Sequence, residues 1–173
     1  MKTLFLLYLA LNFNLYATIN HDLKVEVIPD QNYLKVFDHI LFQNIKCPNN
    51  IRFTLHEGLN PKIVTPLNAK LVLIEKIKDE VNGVGFEHFM LELPCGTNQF
   101  QVSYEGVIFH PVKDPEDPYS RGTSDSPGLI SKEGVVLSSA TNWYPILENN
   151  EMLNFRLEVK DQNNFTYMSQ GQN

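Results

Sequence analysis

A single tryptophan and two cysteines are all that 173 residues contain of either type, and lysine and arginine occur singly rather than in clusters. With 14 basic against 20 acidic residues and a formal charge of -6, there is no basic patch for a phosphate backbone or an anionic lipid surface. Nucleic-acid and membrane-surface binding are excluded as primary functions. No apolar run reaches the ~20 residues a spanning helix needs. Histidines and cysteines never stand at the close spacing of a zinc ligand pair. Gly83-Val84-Gly85 is not a dinucleotide fingerprint, because His88 stands where the third glycine belongs. Ser138-Ser139 lacks the flanking glycines of a hydrolase nucleophile elbow.

What is present begins with Met1-Lys2-Thr3, an apolar run Leu4 to Leu11, and a close on Leu15-Tyr16-Ala17. One positive charge, a short apolar core and a small terminal residue make residues 1–17 a secretory signal peptide, so an exported chain is expected, periplasmic or secreted. The mature chain, 18–173, has the length of one domain with no membrane span. An oxidising compartment permits a bridge between Cys47 and Cys95, each beside a turn. Spacing alone leaves that bridge and two free thiols equally open.

Beyond residue 18, apolar residues alternate with polar ones in short runs separated by turn formers. Leu23/Val25/Val27 and Tyr33 to Phe42, divided by Pro29-Asp30-Gln31-Asn32, read as a hairpin; Ile51/Phe53/Leu55 follows. Lys70 to Lys78 reads as a strand rather than a helix because its centre is β-branched and Val81 to Gly85 offers a turn into Phe86–Leu93. Phe100/Val102/Tyr104 and Leu153/Phe155/Leu157/Val159 alternate cleanly. Roughly nine strands and no clear helix predict an all-β fold, a β-sandwich or saddle of packed, largely antiparallel sheets. Residues 109–133 carry four prolines, Pro111, Pro115, Pro118 and Pro127, so a loop without regular pairing is expected there.

The stretch from Gly134 to Val159 carries the most distinctive order: Gly134-Val135-Val136-Leu137-Ser138, then Trp143-Tyr144-Pro145, then the alternating strand, and finally Tyr167-Met168-Ser169-Gln170-Gly171. It resembles the amino-terminal β-domain of the aminopeptidase N-like zinc metallopeptidases, the gluzincins. The resemblance rests on Gly134, Trp143, Tyr144, Pro145 and Gly171 as structural residues. It implies a non-catalytic domain that packs against a zinc-bearing catalytic domain, on the same or a companion polypeptide, with peptide substrate reached only through that domain. It also implies a chain incomplete at the C-terminus, with the strand-forming residues 165–168 heading into further strands.

The catalytic motif of that family is absent. His56-Glu57-Gly58-Leu59-Asn60 comes nearest, yet Asn60 replaces the second histidine, and Gly58 and Pro61 oppose the helix that would set both ligands on one face. No catalytic, cofactor-binding or metal-binding residue is therefore expected in this chain, and zinc only in a missing domain. His21, His39, His88 and His110 read as surface or satisfied strand positions. Asp114, Glu116 and Asp117 read as a solvated acidic loop rather than a calcium site. The competing expectation is a self-contained exported β-sandwich that binds a protein or a glycan through residues 109–133.

Overall fold

The computed structural model describes residues 18–42, 47, 49–80, 83–112, 126–148, 152–160, 166, 168 and 169. Residues 1–17, Asp114, Glu116, Asp117 and Gly171 lie outside them, as do Phe165 and Tyr167.

Alternating side chains build the first hairpin. β1 (Thr18–Ile28) and β2 (Tyr33–Leu41) pair antiparallel from Asn20↔Leu41 to Ile28↔Tyr33. The turn between them is a short 3-10 segment, Pro29–Gln31, closed by Asn32 at φ 55, a left-handed conformation that asparagine tolerates. β7 (Gln99–Val107) pairs antiparallel with the far side of β2, and β4 (Lys62–Thr65) adds a short edge to β7. On the opposite edge β11 (Met152–Lys160) lies parallel to β1 in an unbroken register, Thr18↔Met152 through Glu26↔Lys160. The result is a five-stranded sheet in the order β11-β1-β2-β7-β4.

A second, antiparallel sheet has the order β10-β3-β6-β5. Its members are β3 (Asn49–His56), β5 (Lys70–Lys78), β6 (Gly85–Leu93) and the two-residue β10 (Ile146–Leu147). β5 is a strand, as its β-branched centre predicts. The two sheets are not closed into a barrel. Their inner faces share one core: Leu23, Val25, Leu34, Val36, Phe100 and Val102 from the first sheet meet Ile51, Phe53, Leu55, Phe89 and Leu91 from the second. Phe53 stacks on Phe89 with centroids 5.3 Å apart. Strict alternation on β6, where every second residue is buried, is what a strand with one face on the core requires.

One expectation is corrected. The proline-rich stretch 109–133 contains β8 (Gly128–Ile130), which pairs antiparallel with β9 (Val135–Leu137), while Phe109 bridges Leu129. Pro127 precedes the strand and therefore withholds no ladder donor, and three residues are too few for an alternation to be read. Cys47 and Cys95 are joined, with Cα atoms 5.2 Å apart across 48 residues of chain. Among the described residues no helix is long and apolar enough to cross a membrane.

Candidate functional site

The outward phase of the five-stranded sheet is polar. A groove of about 760 Å³ runs over it. Strand register fixes what lines the groove. Across β11, β1, β2 and β7 one row reads Lys160, Glu26, Lys35, Glu105. The adjoining row reads Glu158, Lys24, Phe37, Ser103 and, on β4, Lys62. Beyond the groove, a third row on the same face reads Arg156, Asp22, His39, Gln101. Charge alternates across all four strands in the first row and between β11 and β1 in the other two, the arrangement that stabilises directly opposed cross-strand pairs. Arg156 donates two hydrogen bonds to the Asp22 carboxylate, at 2.9 and 2.5 Å. That pairing holds Asp22 below the usual carboxylate range. Of the aromatic residues lining the groove, Phe37 and Tyr33 are half-buried on the same strand, while Tyr104 is buried.

Two polar pairs sit inside the sandwich instead. His21 and Asp38 occupy the apolar phases of β1 and β2, 2 % and 0 % exposed, with Nδ1 2.6 Å from the carboxylate. Burial raises the Asp38 carboxyl above its ordinary value, and the hydrogen bond from His21 works against that rise. The Tyr144 and His21 rings form a T-shaped pair with centroids 5.7 Å apart. The buried Tyr104 hydroxyl is pushed well above its usual value by desolvation and by Asp38. His56, 5 % exposed at the end of β3, brings Nε2 to 2.8 Å from Nε2 of His110. One imidazole must donate and the other accept. Burial first and the neighbouring ring second lower the His56 pKa. The His21–Asp38 pair is buried out of reach of a ligand and has no nucleophilic side chain hydrogen-bonded to it among the described residues. It serves as internal structure.

The zinc-like pentapeptide does not form a ligand face. β3 ends at His56, Gly58 lies at φ 84 and Asn60 at φ 47, so the segment is a turn rather than a helix. Among the described residues no group of three or more histidines, cysteines or carboxylates could hold a metal. His39 reaches Gln99 and His88 reaches Thr54 on strand surfaces, as expected. His21 is a satisfied strand position inside the core, bonded to Asp38, and His56 closes β3 against His110. His21 and Asp38 interrupt otherwise apolar phases, Ile19-Leu23-Val25 and Leu34-Val36-Ile40. That interruption was the readable signal, while the meeting of His56 with His110 left none.

Gly134 sits in the β8–β9 turn, where Ser131 and Gly134 exchange backbone hydrogen bonds. Trp143 and Tyr144 meet edge to face at 5.2 Å and pack on the core, with Pro145 buried beside them. They form a corner between a 3-10 turn at Ser139–Thr141 and β10. No family profile, curated protein or solved structure matches the chain.

Proposed function

We propose that this chain is an exported β-sandwich binding module that holds a hydroxyl-rich ligand, a glycan chain, in the groove on the outer face of its five-stranded sheet. The observation that carries the reading is the register-fixed set of alternating charges around Phe37. Four lysines and three glutamates line the groove, so a polyanion and a polycation each meet repulsive as well as attractive groups there. A neutral glycan uses both kinds: carboxylates accept from its hydroxyls, ammonium groups donate to them, and the apolar face of a sugar ring stacks on an aromatic side chain. The Cys47–Cys95 bridge suits an oxidising compartment. The contact surface expected from sequence, 109–133, falls mostly outside the described residues, and the groove on the sheet replaces it in this reading.

The test is a glycan panel probed with the purified chain, followed by calorimetry on the best oligosaccharide. Phe37→Ala should weaken binding about tenfold, ~1.4 kcal/mol, with the melting temperature little changed because Phe37 lies on the outer face. A panel with no binder, or equal affinity of the variant, refutes the site.

A second reading, the amino-terminal domain of an aminopeptidase N-like protein, draws support from the Trp143-Tyr144-Pro145 corner and its packing on the core. It expects a reading frame downstream of codon 173 that encodes two histidines one helical turn apart and a later glutamate. It also expects no zinc-dependent aminopeptidase activity from this chain alone. Zinc-dependent hydrolysis of a leucine reporter by the purified chain would count against it.

A further inference from the structure

Among the described residues each open sheet exposes two edges, and the four strands that end these two sheets are not alike. β10 is two residues long. β4 is four residues long, and its register with β7 slips between Ile63 and Thr65. β5 is nine residues long but is bulged between Leu73 and Glu75 and carries Lys70, Lys76 and Lys78. Shortness, bulges and lysines are the devices that keep an edge from pairing with another chain. β11 has none of the first two over nine residues in unbroken register, and its Arg156 is tied to Asp22. Its core-facing phase is left partly uncovered, with Leu153 39 % and Phe155 41 % exposed.

We infer that β11 is a dimerisation edge whose occupant is β11 of a second copy, antiparallel about a two-fold axis at Leu157. Directly opposed residues in an antiparallel pair share a face, so the axis must pass through a residue rather than between two. An axis at Arg156 sets arginine against arginine. One at Glu158 sets glutamate against glutamate and Arg156 against the partner's Lys160. The axis at Leu157 sets Arg156 against the partner's Glu158, twice. The outer-face row then runs Asp22, Arg156, the partner's Glu158 and the partner's Lys24, so the alternation of charge continues unbroken across the axis. On the inner face Phe155 comes beside the partner's Val159, which covers the apolar surface that β10 is too short to reach. The two sheets merge into one of ten strands, and the inference stands on strand register whether or not the groove binds a glycan.

Sedimentation equilibrium over a wide concentration range tests it. The wild-type chain should dimerise reversibly, and Leu157→Cys, with a cysteine on the axis, should give a disulfide-linked dimer on mild oxidation. Leu73→Cys, on the β5 edge, should not. Phe155→Lys, which places a lysine on the edge, should weaken the dimer at least about tenfold. Should that variant fail to fold, the two cysteine variants decide. A wild-type chain that stays monomeric at the highest concentration reached, as it would if another segment or domain covered β11, overturns the inference. So does cross-linking through Leu73→Cys in place of Leu157→Cys.

Discussion

Asp38 and His21 stand where the alternation of β2 and β1 calls for apolar side chains, and each is tolerated because the other is there. Removing one partner leaves a buried polar group without its hydrogen bond, which is costlier than removing both. Asp38→Ala should therefore lower unfolding stability by about 3 kcal/mol. The double change His21→Phe with Asp38→Leu should cost clearly less than the sum of the single changes, as read by urea denaturation. Additive losses would show that the pair is not coupled.

His56 sets a pH dependence. Its folded pKa lies below the ordinary 6.5 because burial and His110 disfavour the cation, with Glu57 and Glu87 pulling weakly the other way. Above that value both folded and unfolded chains hold it neutral. As the pH falls below about 6.5 the unfolded chain takes up the proton first, so stability drops until folded His56 is protonated too. The slope from this one group should approach about 1.4 kcal/mol per pH unit at most. Urea midpoints at neutral pH and at mildly acid pH should converge between wild type and His56→Gln as the pH falls. Parallel curves would remove His56 from the account.

At the scale of elements, β7 is pressed closely by the backbone of the Gly58–Leu59 turn. A Cβ on Gly106 would come within 2.3 Å of the Gly58 carbonyl oxygen and 3.2 Å of the Leu59 Cα. The backbone N–H of Glu105 donates to the Leu59 carbonyl beside it, at 2.7 Å. Both obstacles are backbone, so no side-chain rotation relieves them. Gly106→Ala should cost ~1–3 kcal/mol, the range for overpacking. Gly134→Ala, with open space around its Cβ position, should be nearly neutral in the same thermal melts, and a reversed order would contradict the packing described.

Much of this layer could be read from the chain. The β1–β2 hairpin declared itself by period-2 alternation around Pro29, and β5 by the β-branched Val72 and Ile74. Pairing partners were another matter. The parallel contact of β11 with β1 joins residues more than 130 positions apart, and nothing in either strand names the other. β8 and β10 were hidden because two or three residues carry no period. The corner at Trp143-Tyr144 was legible because large aromatics before a proline have few other uses, whereas the alternating charges of the outer face became a pattern only when register aligned Glu26, Lys35 and Glu105.

At the scale of the whole molecule, two sheets share an apolar interior and turn a balanced, aromatic-centred surface outward on one side. His21 and His56 are each accommodated inside by one polar partner, the disulfide closes 48 residues of chain between β2 and β7, and the outer face is left with no role in the core. The most direct measurement is an NMR titration of the labelled chain with the best-binding oligosaccharide from the panel. The account predicts that shift changes concentrate on Lys24, Glu26, Lys35, Phe37, Ser103 and Glu105. Changes confined to residues 126–148 or to the β5 edge, with those six unmoved, would contradict it.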